Sequence, residues 1–346
     1  MSAPAVPEIP LPPPPSERPG ARVVALGGGH GLHATLRALR ELTYDDVVGE
    51  VTAVVTVADN GGSSGRLRAE FGVLPPGDLR MALAALCGSD DWGETWEQVL
   101  QHRFAGDGDM RGHSVGNLLI VALWEQLGDH VAALDLVGRL LGARGRVLPM
   151  ALTPMDIRAV VRGAEPGAPD ARTTVRGQVE VATTAGRIES VALEPADPAP
   201  CTEAVDAVLA ADWVLLGPGS WFTSVLPHLM VPGLRDALVS TPARLAVVLN
   251  LAEQPGETGG FAPADHLRVL REHAPDLRLD VVLVDPSILD PELVDPATLP
   301  DLEREAAACG ARVVVTDVAC DDGSPRHDVH LLAGALERLV EARVGR

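Results

Sequence analysis

The stretch Val23-Val24-Ala25-Leu26-Gly27-Gly28-Gly29-His30-Gly31-Leu32 constrains this chain more than any other. An unbroken apolar run suits a parallel strand buried on both faces. The glycines that follow permit a tight turn and close backbone approach to a ligand. Leu32, Leu36 and Leu39 recur at helical spacing, so a helix starts at once. Strand, glycine turn and helix N-terminus together offer free N–H donors and a positive dipole end, a setting that favours phosphate. The strict G-x-G-x-x-G spacing is absent, because Leu32 stands where the third glycine would fall.

The rest of the chain repeats that rhythm. Further strand-like runs are Val51–Val57, Trp213–Leu216, Leu245–Leu249, Val281–Val284 and Val313–Val315, with helical patterns between most of them. The expectation is an α/β fold, a Rossmann-like doubly wound and mainly parallel sheet of about six strands. Residues 92–142 read as about three helices. From 146 to 195 the pattern changes to Thr, Val, Gly and Arg alternation, including Arg172–Val181 and Arg187–Val191. That pattern predicts antiparallel hairpins, inserted near 165–195. Residues 1–20 carry eight prolines and little that packs, so they read as a disordered tail before a single domain over 21–346.

Charge and composition exclude several partners. The formal net charge is −20, and the 28 Lys and Arg are scattered, so nucleic acid and anionic membrane surfaces are disfavoured. An anionic ligand must be met by helix N-termini and single arginines. None of the four cysteines forms a C-x-x-C pair, and the ten histidines show no paired ligand spacing, so no metal site is expected from them. No leader pattern and no run of eighteen apolar residues is present, which gives the expectation of a cytoplasmic protein.

The polar loops fall where strands end. Asp59-Asn60-Gly61-Gly62-Ser63-Ser64-Gly65-Arg66 follows the second strand; Asp59 suits a ribose or a metal, and Ser63, Ser64 and Arg66 suit phosphate. Asp78 in Pro75-Pro76-Gly77-Asp78-Leu79-Arg80 reads as a helix N-cap, with Arg80 one turn in. His113 and Ser114 open a helix containing Gly116 and Asn117. Gly217-Pro218-Gly219-Ser220 repeats the glycine-then-helix device, with Ser220, Thr223 and Ser224 as donors. Arg326 is the cation of the last loop, and Asp328 suits the cap of the final helix.

Taken together these loops resemble the gluconeogenesis-factor branch of the 2-phospho-L-lactate transferase-like (CofD-like) superfamily. The matching pieces are Gly27–Leu32, Asp59–Arg66, Pro75–Asp78, His113–Leu118, Gly217–Ser220, Gln254-Pro255-Gly256-Glu257-Thr258 and Arg326-His327-Asp328, in order along the chain. The resemblance implies a crevice at the strand C-termini that binds UDP-N-acetylglucosamine. It also implies a regulatory role in cell shape, cell-wall precursor supply and central carbon metabolism rather than an assigned reaction. Ligand-binding positions implied in this way are Gly28, Gly29, His30, Gly31, Asp59, Asn60, Gly62, Ser63, Ser64, Arg66, Asp78, His113, Asn117, Gly217, Gly219, Ser220 and Arg326. Cell-wall regulatory proteins and a second copy of the chain are the implied protein partners. The alternative is a phospholactyl transferase acting on a deazaflavin precursor with magnesium, in which Asp59 would organise the metal. This chain departs from the family pattern at His30 and Val329, where relatives carry threonine, and at Asn60, where an aspartate is usual; the last change tilts the reading away from magnesium. A nicotinamide dehydrogenase is disfavoured, since no catalytic His or Tyr–Lys arrangement accompanies the glycine turn.

Overall fold

A computed structural model of the chain describes residues 20–289 and 295–342. The tail expected over 1–20 lies, apart from Gly20, outside the described residues. The chain opens with β1 (Ala21–Gly27), α1 (Gly29–Leu42) and β2 (Val48–Val55). Five helices follow: α2 (Gly62–Phe71), α3 (Gly77–Ala85), α4 (Asp91–Gln101), α5 (Val115–Leu127) and α6 (His130–Leu140). Next come β3 (Arg146–Pro149), β4 (Asp156–Arg162), β5 (Arg172–Arg176), α7 (Gln178–Ala182), β6 (Arg187–Glu194), α8 (Thr202–Ala210) and β7 (Trp213–Leu216). A π-turn at Trp221–Val225 leads to α9 (Pro227–Met230), α10 (Pro232–Ser240), β8 (Arg244–Val248) and α11 (Pro263–His273). The chain finishes with β9 (Val281–Val284), α12 (Thr298–Ala308), β10 (Arg312–Val315) and α13 (Val329–Glu341).

Seven strands form one parallel sheet in the order β10-β9-β8-β7-β1-β2-β3. This is the doubly wound order, with its switch point between β1 and β7. Val23–Leu26 of β1 and Val214–Leu216 of β7 are buried, as aliphatic runs covered on both faces should be. Register aligns the strand ends: Gly27 stands opposite Val55, and Leu26 opposite Leu216. The loops after β1, β2 and β7 therefore open on one edge, where a ligand crevice belongs.

Two expectations are corrected. The sheet has a seventh parallel strand, β3, which reads poorly because it is four residues long and ends in a proline. The antiparallel unit is a three-stranded sheet, β5-β4-β6, starting at Asp156. Within it, Gln178–Ala182 is a short helix instead of strand, because Gly177 at φ +107° turns the chain there. The expected helices over 92–142 are α4, α5 and α6.

Candidate functional site

The first loop is built by glycine. Gly28 is extended, and a Cβ on it would lie 2.5 Å from Thr56 Cγ2 and 2.6 Å from Asp78 Oδ2. Gly29 follows at φ +57°, with open space where its side chain would be. A Cβ on Gly31 would collide with the Pro218 carbonyl, so the loops after β1 and β7 meet through this residue. No side chain caps α1, and the amides of its first turn, which includes the exposed His30, face the crevice.

The second loop adds carboxylates. Asp59 Oδ1 accepts from Gly61 N at 2.8 Å, which orients the entrance to α2. Like α1, this helix has no side-chain cap, and Gly62 sits at φ +50° with open space beside it. Asp59 Oδ2 lies 3.2 Å from the position of a Cβ on Gly77, which also rests against Ser64. Asp78 is not the N-cap that its sequence position suggests. Pro76 occupies that place, so Asp78 falls in the first turn of α3 and faces the Gly29 amide. Burial, reinforced by the charge of Asp59, pushes the Asp78 carboxyl up to about 7.

A buried polar chain runs behind α2. His113 Nδ1 lies 3.0 Å from Ser63 Oγ, which accepts from Asn117 Nδ2 at 3.1 Å. Asn117 Oδ1 accepts from Arg80 Nε at 3.0 Å. Burial and the Arg66 guanidinium hold His113 below its ordinary value. Ser114 occupies the N-cap of α5, yet its hydroxyl makes no cap bond.

The third glycine loop differs from the first. Gly217 and Gly219 have φ of +74° and +148°, and Gly219 N donates to Asn250 Oδ1 at 2.8 Å. Gln254 Nε2 reaches Ser220 Oγ at 3.4 Å, and Trp221 N donates to Gln254 Oε1 at 3.2 Å. Buried Glu257 accepts from Phe222 N at 2.9 Å and from Thr223 Oγ1 at 2.6 Å. The donors after β7 thus have an internal acceptor, which sequence reading does not foresee. Burial raises the Glu257 carboxyl.

Three other candidates are held by protein groups. Asn60 Nδ2 donates to Glu180 Oε2 at 2.7 Å, and its Oδ1 accepts from Val179 N at 3.0 Å, so it clamps α7 over the second loop. Arg66 donates to the carbonyls of Asp109 and Arg111 at 3.0 and 2.7 Å. Arg326 pairs with Asp322 at 2.7 Å on an exposed turn. Asp328 does cap α13, accepting from His330 N and Leu331 N. Among the described residues no group of three or more His, Cys, Asp or Glu could hold a metal ion, and no helix is long and apolar enough to cross a membrane.

A doubly wound parallel sheet with uncapped helix N-termini gathered at its switch point places the chain among the open-sheet α/β proteins, with a crevice at the strand C-termini. The comparisons make this specific. Residues 23–319 match the family model described as 2-phospho-L-lactate transferase CofD, and the chain belongs to that family. The gluconeogenesis factor of Bacillus subtilis strain 168 is 35% identical over 328 residues, covering 92% of this chain and 98% of the relative. A Mycobacterium tuberculosis H37Rv protein, given the same description provisionally, is 51% identical over 323 residues, covering 93% and 91%. A crystal structure of a UPF0052 family member from Bacillus halodurans superposes with a TM-score of 0.78 at 32% identity, covering 92% of this chain and 98% of that one.

Proposed function

We propose that the chain binds a nucleotide sugar of the UDP-N-acetylglucosamine type and acts as a cytoplasmic regulator of cell-wall and central carbon metabolism. One observation carries the reading. α1, α2, α3 and α5 all start without a side-chain cap, and their first turns gather around Gly29, Asp59 and Ser63. Their amides and dipole ends supply positive potential to a diphosphate in a chain of net charge −20. Arg326, ion-paired with Asp322 on an exposed turn after β10, is the arginine that this reading assigns to the ligand.

A second reading, magnesium-dependent phospholactyl transfer, is favoured by the carboxylates of Asp59 and Asp78. Although Asn60 replaces the usual aspartate, Asp78 supplies a second acid from α3. Two carboxylates with ligand phosphates are a donor set that suits magnesium. Asp59 and Asp78 would hold the ion, which would neutralise phosphate charge.

Calorimetry with UDP-N-acetylglucosamine, UDP-glucose, GDP with magnesium, and NAD separates these readings. Binding of the UDP sugars alone, with ligand recovered unchanged and affinity at least tenfold weaker in Arg326→Ala, is the expected result. Turnover of a guanosine-linked phospholactate donor with a deazaflavin acceptor, abolished by Asp59→Asn, would replace the first reading with the second.

A further inference from the structure

Arg80 is an anomalous charge among the described residues. It is 4% exposed, forms no ion pair among the described residues, and its Nη1 is buried without a hydrogen-bond partner. The acid that acts on it, Asp78, stands outside ion-pair distance and is itself held up to about 7, so this costly buried guanidinium has no close, fully ionised partner in the protein. A second charge that acts on Arg80 is of the same sign. Arg103, whose backbone pairs with Ser114, adds to burial in holding Arg80 down to about 10.

The surroundings have the form of an anion cradle. Arg80 Nε is fixed by Asn117 Oδ1, and its Cγ and Cδ lie 2.8 and 2.9 Å from where a Cβ on Gly116 would sit. The aliphatic stem of Arg80 is therefore pressed against the first turn of α5, a 13-residue helix without a side-chain cap. At that N-cap the Ser114 hydroxyl is fully buried and unpartnered as well. Ser63, in the first turn of α2, is bonded to both His113 and Asn117 and closes the far side. Two orphaned buried donors, two helix N-termini and the lack of an ion pair to Arg80 among the described residues all select an anion with several acceptor oxygens.

We propose that Arg80 and Ser114, with the first turns of α2 and α5, form a seat for a phosphate oxyanion, free or as the phosphate of a bound nucleotide. The seat rests on the nucleotide-sugar reading only for the identity of the molecule that delivers the oxyanion. It lies where α2, α3 and α5 meet.

The test is thermal unfolding of the full chain in inorganic phosphate at constant ionic strength, for wild type, Ser114→Ala and Arg80→Gln. Phosphate should raise the wild-type midpoint. Both variants should show phosphate affinity reduced by about tenfold or more, the worth of a hydrogen bond to a charged group. Ser114→Ala removes a hydroxyl with no partner, so its phosphate-free midpoint should match wild type, separating ligand loss from damage to the fold. An equal phosphate response in all three proteins, or none in wild type, overturns the seat. Calorimetry with UDP-N-acetylglucosamine then separates the two ideas. Competition with phosphate assigns the seat to the nucleotide's own phosphate, and additive binding assigns it to a free oxyanion. A phosphate response without nucleotide-sugar binding keeps the seat and sinks the nucleotide-sugar reading. Tight UDP-sugar binding with no phosphate response does the reverse.

Discussion

Replacing Asp78 with Asn should stabilise this protein, and more so as the pH rises. The carboxyl is moved from an ordinary 3.8 to about 7 in the fold, first by burial and then by the charge of Asp59. The folded state therefore holds more protons than the unfolded chain between those values. The stability linked to Asp78 is complete below pH 3.8 and is lost as pH climbs through 7. Each tenfold change in proton affinity is 1.36 kcal/mol, so ionised Asp78 costs the fold about 4 kcal/mol above pH 8 as an upper bound. At pH 5.5 the same linkage gives about 2 kcal/mol. Asn keeps an oxygen to face the Gly29 amide and carries no charge. In urea unfolding the margin of Asp78→Asn over wild type should widen by about 2 kcal/mol between pH 5.5 and 8.5. A margin that stays constant, or a variant less stable than wild type at both pH values, would refute the like-charge and burial argument. The same substitution should tighten metal-free binding of a diphosphate at pH 8, because it removes a negative charge beside the N-terminus of α1. A magnesium-dependent enzyme would instead lose ligand affinity.

Gly31→Ala should cost about 3 kcal/mol, since its Cβ would meet the Pro218 carbonyl and lie 2.8 Å from Gly219 Cα, both backbone. Gly29→Ala faces open space and should cost only the 1–2 kcal/mol or so of a positive φ; chemical denaturation that reverses this order would show the loop contact to be wrong. Glu257→Ala strands the Phe222 amide and the Thr223 hydroxyl and should lower stability by about 3–5 kcal/mol. Glu257→Gln keeps one acceptor oxygen and should lose markedly less; equal losses would mean that the cap is not what Glu257 provides.

How far the sequence reveals this architecture depends on where the constraint lies. Gly29 and Gly31 are legible because a positive φ and a backbone collision each exclude side chains, and those limits are local. Long aliphatic strands such as β2 are legible because they are buried on both faces. By contrast, α7 reads as strand from its Val-Glu-Val alternation, and it is helical because Gly177 turns the chain and Asn60, more than a hundred residues away, holds Val179 and Glu180. The same holds for Arg66. Its position at a strand end is legible, but its engagement by the carbonyls of Asp109 and Arg111 depends on how the α4–α5 loop folds back.

The two glycine loops at the switch point make the limit concrete. In sequence, Gly27–Gly31 and Gly217–Ser220 present the same device, a strand running through glycine into a helical turn. In three dimensions Glu257, brought in from the loop after β8, takes two donors of the second, whereas the first meets a single acid, Asp78, at the Gly29 amide. Glycine spacing alone would assign phosphate equally to both. Glu257 already occupies the donors after β7, so on the proposed reading the ligand's phosphates belong on the β1–β2 side. There the first turns of α2 and α5 are open, Arg80 has no ion pair among the described residues, and the fold suppresses the ionisation of the opposing acid, Asp78.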